Sequence, residues 1–484
     1  MGKLKNRAVH IFFSFFALFI VLLVFLIFDF EQPIKSGLYK LTFLNLLVYL
    51  FIFISSYKYQ RKINVYTVLI LLTIPFYLGD QLSIVLGYEN KMLEEYRSIL
   101  DGVISNRSIF MAMFLIMWSL LFLHVGYLLT YKPRSAVKTI EQNAFEGNRA
   151  GKIVGWLFLI VTLIPALITR IYDVYMTITL GHLAYRLEAP STGFIYYMSY
   201  FADWFVPSSF ILLIFSTNRI EKRIATGAIL LYCLLYLLSG NRMDIFGYVV
   251  ALVCVYIYRF RSKITKKKVF LATFFGLFTI FVFEIVGYSR NAAGGISMFS
   301  LDNILSVISE GLIYSVFRTT GNTFTSVSNT IQCVPALESF NYGKSILGSL
   351  VYVFPSVLRG NSLDNIVTHI SALLSPYYYG WNVSGYGSSF ITEAFFNYGY
   401  FSIFIVCIYG MIIGKIVSNI ENGAGNRPFL FYFSIFMLIE ITMGIRNDLY
   451  FIPRHIVLYV AVPYIFYSLL SIKSNFCSNR RLAN

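Results

Sequence analysis

Eight arginines pose the first chemical question. Arg170, Arg186, Arg242, Arg290, Arg318, Arg359, Arg446 and Arg454 recur near the ends of apolar runs or inside one long connection. A guanidinium stays charged and grips phosphate oxygens through a planar fork, so the set suits a phosphorylated ligand. Each could instead pair with an acid such as Asp244, Glu284 or Asp448. One carboxylate stands out beside them. Ser389, Glu393 and Asn397 are four residues apart and therefore share a helix face. A carboxylate at a desolvated helix start can take a proton from a sugar hydroxyl, or it can simply complement the helix dipole. His369 and Asp244 compete for the role of base, while Asp203 and Glu440 fit structural hydrogen-bonding partners. Glu393 follows an aromatic and glycine-rich stretch that contains Tyr378, Trp381 and Tyr386. Flat rings of this kind stack on sugars, although Tyr and Trp also mark membrane interfaces.

The elements that position these residues follow from composition. Of 484 residues 57% are apolar or aromatic and 13% are charged, yet the net charge is +16. So low a charge content excludes a disordered chain and argues against a soluble enzyme or a nucleic-acid binder, whose charges sit on a hydrated face. The expected fold is an all-α integral membrane protein. About twelve transmembrane helices are expected, near 9–28, 39–56, 63–87, 109–130, 153–170, 195–217, 224–240, 245–258, 269–287, 391–414, 428–446 and 455–472. With a cytoplasmic N-terminus, the inner segments hold 25 of the 39 basic residues but only 4 of the 23 acids. That is +21 inside and −5 outside, which follows the positive-inside trend and puts both termini in the cytoplasm.

Three regions result: helices 1–9 within 1–287, a large periplasmic loop over 288–390, and helices 10–12 with a tail over 391–484. The loop is expected to carry amphipathic helices at 301–317 and 362–374, with a re-entrant or interfacial segment at 346–358 between them. The alternative is a packed outer cap without a catalytic part. Gly410 and Gly414 have the small-xxx-small spacing of close helix packing. The five cysteines are scattered and allow no disulfide framework. No Asp-x-Asp, His-Glu-x-x-His, Walker loop or Cys-x-x-Cys occurs, so neither metal nor cofactor is expected. An enzyme on the outer face must then use a donor carrying its own leaving group, and a lipid pyrophosphate is the natural one.

Three stretches together resemble the O-antigen and capsule repeat-unit polymerase family. They are Leu238 to Asp244 (LSGNRMD), Gly385 to Gly399 (GYGSSFITEAFFNYG) and Gly444 to Leu449 (GIRNDL). The similarity covers about 225–465, and Met243 and Asn447 stand where the family often has glycine. The resemblance implies a metal-independent, GT-C-like glycosyltransferase in the bacterial inner membrane. It would transfer the growing chain from undecaprenyl pyrophosphate to a new lipid-linked repeat at the periplasmic face. On this expectation Arg242, Arg290, Arg318, Arg359, Arg446 and Arg454 are assigned to pyrophosphate and saccharide binding. Arg242 and Arg446 are also placed with the catalytic group, where Glu393 positions or deprotonates the acceptor and His369 is its understudy. Tyr378, Trp381, Tyr386 and Asn397 complete the substrate set. Membrane lipid and a chain-length regulator are the other expected partners, with no nucleic acid. Rival readings are an O-antigen ligase acting on lipid A core and a lipid-linked saccharide flippase.

Overall fold

The computed structural model describes residues 2–88, 104–133, 148–181, 185, 193–240, 243–262, 265, 267, 281–282, 284–285, 301–351, 353–354, 387–422, 427–449 and 451–482. Among them there is no strand. The helices in chain order are α1 (Gly2–Ile27), α2 (Ile34–Gln60), α3 (Val65–Val85), α4 (Asn106–Thr130) and α5 (Arg149–Leu180). Next come α6 (Phe194–Ala202), α7 (Phe205–Phe215), α8 (Arg219–Leu238), α9 (Met243–Cys254), α10 (Leu301–Glu310) and α11 (Leu312–Cys333). The last are α12 (Lys344–Val351), α13 (Phe390–Tyr398), α14 (Ser402–Glu421), α15 (Pro428–Met443), α16 (Ile452–His455) and α17 (Val462–Leu482).

Eight helical stretches among the described residues are long and apolar enough to cross a membrane, each overlapping an expected span. The other four expectations fare differently. Residues 224–238 of the expected span 224–240 fall in α8, and 245–258 in α9 and the π-helical turn Val255–Arg259 that follows it. Residues 428–446 fall mainly in α15, which has 16 residues. Most of 269–287 lies outside the described residues.

The chain forms two compact units. Unit one comprises Met1–Pro133, Ile313–Ser418 and Ile441–Pro453. Its first three helices pack around or beside α4, which is apolar on all sides and buried along most of its length, as a helix without a polar face must be. The glycine spacing does what it suggested. A Cβ on Gly126 of α4 would lie 2.0 Å from the Cys407 carbonyl oxygen, and one on Gly410 of α14 would lie 2.1 Å from that of Leu123. Backbones therefore touch, and Thr130 Oγ1 donates to the Met411 carbonyl at 2.6 Å.

The single amphipathic helix expected over 301–317 is corrected: Gly311, with φ at +90°, separates α10 from α11. Leu301, Leu305 and Ile308 stay exposed on α10, as an interfacial helix requires. α11 runs on to Cys333 and buries hydroxyls and an amide in unit one: Ser315, Thr323, Thr325, Ser326, Ser328, Asn329 and Thr330. It approaches α3 closely at Gly79 and Gly321. There Thr325 Oγ1 donates to the buried Asp80 carboxylate at 2.7 Å, and Thr320 Oγ1 to the Pro75 carbonyl at 2.9 Å. Of the expected segment 346–358, residues up to Val351 belong to α12. The expected helix at 362–374 lies outside the described residues.

Unit two comprises Arg134–Leu312, Asn419–Glu440 and Arg454–Asn484. Its frame is α5 against α7, where Gly155 lets the helix reach the Leu212 backbone and Gly151 the Phe215 ring. At 32 residues, α5 is roughly 48 Å long, against about 30 Å of hydrocarbon. The apolar stretch Phe194–Phe215 is broken between α6 and α7 at Asp203 and Trp204.

Candidate functional site

In unit one the site is built on α13. Ser389 caps it, accepting from the Thr392 amide at 3.1 Å, which satisfies a donor that the helix start leaves open. Glu393, one turn in, is 1% exposed. Its Oε1 accepts from Ser345 Oγ at 3.1 Å and its Oε2 from the Leu449 amide at 2.6 Å. Asn397 follows on the same face, donating to Ser345 Oγ at 2.7 Å and accepting from the Gly343 amide at 2.9 Å. The shared face of Ser389, Glu393 and Asn397 thus exists, and its partners are the start of α12 and the turn after α15.

That turn is fixed at several points. The Gly444 carbonyl accepts from the Phe390 amide at 3.0 Å, and the Arg446 carbonyl from the Ser388 amide at 3.2 Å. The Ile445 carbonyl accepts from Tyr77 Oη at 3.2 Å. Two of the three stretches singled out in the sequence are therefore joined main chain to main chain. Arg446 sits half-buried on this turn. Beside it, Asp448 is pushed up to about 6 by burial, which the nearby Ser388 hydroxyl partly opposes. Ser388 Oγ and Asp448 Oδ1 are both buried without a hydrogen bond.

In unit two a second group of charges gathers around α5. Arg170 Nη1 binds Asp173 Oδ2 at 2.7 Å and Nη2 binds Asp203 Oδ1 at 3.5 Å. Its guanidinium carbon lies 5.3 Å from the Tyr232 ring centre and 5.1 Å from that of Tyr236, within cation–π range. Its Nε is buried without a partner. Tyr185 Oη donates to the other Asp173 oxygen at 2.5 Å. Nearby, Nδ1 of His455 lies 3.0 Å from both oxygens of Glu440. Arg454 stands over the Tyr200 ring at 5.7 Å. Asp244 faces the Tyr236 hydroxyl and lies within electrostatic reach of Arg170, Glu440 and His455. Ionisable groups in apolar helices need such partners.

The expected site residues therefore separate. Glu393, Asn397 and the Arg446 backbone meet in unit one, whereas Arg454 and the competing base Asp244 belong to unit two. Arg318 lies in α11. Arg242, Arg290, Arg359, His369, Tyr378, Trp381 and Tyr386 lie outside the described residues. Sequence reading overlooked Ser345, Tyr200 and His455. The signal for His455 was present: a histidine next to Arg454, at the start of a span, with Glu440 near the end of the preceding one. Among the described residues no group of His, Cys, Asp and Glu is arranged to hold a metal ion.

No curated protein and no solved structure matches the chain. A family model, O-antigen polysaccharide polymerase Wzy, matches residues 9–480, which is nearly the whole length and includes both groups of charges. The chain belongs to the O-antigen polysaccharide polymerase Wzy family, integral membrane enzymes that join lipid-linked oligosaccharide repeat units into polysaccharide.

Proposed function

We propose that the donor is a growing chain on undecaprenyl pyrophosphate, transferred without a metal ion to a new lipid-linked repeat at the periplasmic face of the bacterial inner membrane. Twelve spans, cytoplasmic termini and the outer loop over 288–390 belong to the same reading, which rests on the +21 and −5 division of charge. In this reading Arg242, Arg290, Arg318, Arg359, Arg446 and Arg454 bind pyrophosphate and saccharide, offsetting charge on the leaving group. Tyr378, Trp381 and Tyr386 stack on sugar rings. His369 stays a reserve base on the loop, and a chain-length regulator is the protein partner.

The observation that carries this reading is the joint between 388–390 and 444–449. It sets Arg446 on a turn held by the backbone of α13 and by Glu393. A rigid mount is what a cation needs if it is to meet charge that develops only during transfer. Both Glu393 oxygens already accept hydrogen bonds from the protein, and this suits the positioning role. Asn397 acts with it by holding Ser345.

The test is deletion of the gene followed by a gel of surface polysaccharide. A polymerase mutant displays single repeats on the lipid core. Long chains left on the lipid carrier would indicate a ligase, and loss of all repeats a flippase. Complementation with Arg446→Ala, Arg242→Ala or Glu393→Gln should leave protein in the membrane but no long chains. Normal chain lengths from all three would overturn this assignment.

A further inference from the structure

We propose that Gln81, Thr323, Asn329 and Ser388 form a subsite in unit one that takes one uncharged sugar residue of the lipid-linked repeat by its hydroxyls. The assignment rests on the polymerase reading and deepens it, by naming where a saccharide is held. All four side chains are buried, Gln81 completely. Both amide atoms of Gln81, Thr323 Oγ1, Asn329 Nδ2 and Ser388 Oγ are nevertheless without a hydrogen bond. Buried polar groups are as a rule paired, because each one left alone forfeits its hydration. A site built for hydroxyls holds its groups in this condition until the substrate pairs them.

Helical spacing brings the four together. On α11, Ser326 Oγ donates to the Gly387 carbonyl at 3.1 Å. Thr323 and Asn329, three residues to either side, therefore share the face turned to that segment. On α3, Tyr77 Oη donates to the Ile445 carbonyl at 3.2 Å, and its ring centre lies 6.1 Å from that of Phe390. Gln81, one turn further on, shares that face. Ser388 follows Gly387, and its amide donates to the Arg446 carbonyl, next to Ile445, at 3.2 Å. It stands where the two faces meet. A Cβ on Gly387 would find no described atom within 4 Å, so the joint has room on that side.

The chemistry of the set selects the ligand. A carboxamide presents a donor and an acceptor side by side, a hydroxyl can do either, and none of the four is charged. Neighbouring hydroxyls on a sugar ring offer the same alternation. Asp448 Oδ1, on the same joint, is also buried without a hydrogen bond. Its carboxylate adds an acceptor for a sugar hydroxyl and repels phosphate. The five groups together suit a neutral polyol and leave the diphosphate to the arginines.

The alternative is a set of structural groups bridged by water. Gln81→Met and Asn329→Leu keep the volume, remove the polarity and separate the two roles. Removing a structural group lowers the unfolding midpoint and leaves KM alone. Removing a substrate group does the reverse, since an apolar side chain in place of an unpaired polar one does not destabilise the empty protein. The assay uses full-length protein in proteoliposomes and lipid-diphosphate-linked repeats extracted from cells lacking the gene. Expected for each variant is a KM roughly tenfold to 100-fold higher, with the thermal midpoint in detergent unchanged or raised. The oligosaccharide freed from its lipid should raise the wild-type midpoint and leave that of Gln81→Met unmoved. The proposal is overturned if both variants keep KM within about threefold of wild type, or if both unfold at a lower temperature or fail to accumulate. It is equally overturned if the free oligosaccharide shifts wild type and Gln81→Met alike. A wild type that makes no chains from this substrate would instead overturn the polymerase reading, and the shift with free oligosaccharide would still decide the subsite.

Discussion

Glu393 in unit one and Glu440 in unit two are both buried acids, at 1% and 6% exposure, yet their partners differ in kind. Glu393 accepts from a backbone amide and a serine hydroxyl, neither of which gives up its proton near neutral pH. Glu440 accepts from a histidine, the one side chain whose ordinary titration falls near neutrality. The first bond fixes a turn and stays as it is. The second orients a group that can gain or lose a proton. Burial alone therefore does not say what an acid can do; its partner's capacity to exchange a proton does.

The contrast can be broken most directly at Glu393. Glu393→Ala strands the Leu449 amide and the Ser345 hydroxyl, and should cost about 3–5 kcal/mol of stability. Thermal unfolding in detergent measures it, and an unchanged midpoint would show that Glu393 does not hold this turn. Next in size is the frame of unit one, tested apart from either acid. Gly410→Ala places a methyl against the Leu123 carbonyl and should cost about 1–3 kcal/mol, with kcat per folded molecule unchanged. In unit two the expected effect is on stability. Arg170→Lys loses the fork to Asp173 and Asp203 and the seat between two tyrosines, which should cost about 1–2 kcal/mol, read as a lower midpoint in the same thermal assay.

The smallest effect is expected at Asp448, which lies outside the spans. Its folded pKa of about 6 exceeds the ordinary 3.8, so the folded protein holds more protons than the unfolded one between those values. Stability from this group is therefore gained as pH falls from about 6 to about 4, and lost as pH rises through that window. Asp448→Asn should flatten that slope in a melting series across pH 4–7. An identical slope in the variant would remove Asp448 as its source.

Much of this was legible in the sequence for particular physical reasons. Ser389, Glu393 and Asn397 share a face because helical spacing dictates it, and the Gly410–Gly414 spacing marks a contact made by backbone. α11 was cut short because its buried side is rich in serine, threonine and asparagine, so hydropathy gave no period to follow. The hydroxyl and the backbone amide that hold Glu393 come from Ser345 and Leu449, 48 and 56 positions away, distances no local pattern encodes. His455 was missed for the same reason: its partner is on another helix. Arg170 was read as either a phosphate ligand or a partner for acids, and its contacts to Asp173 and Asp203 show the second.

The hidden polarity of α11 carries a consequence for biogenesis. A nascent segment so rich in hydroxyls is not released sideways into lipid by the insertion machinery, which sorts by hydropathy. Its docking on α3 must therefore follow insertion of the apolar helices. Thr325 can reach Asp80 only once that scaffold stands. The seam between α3 and α11 is therefore a late event in assembly.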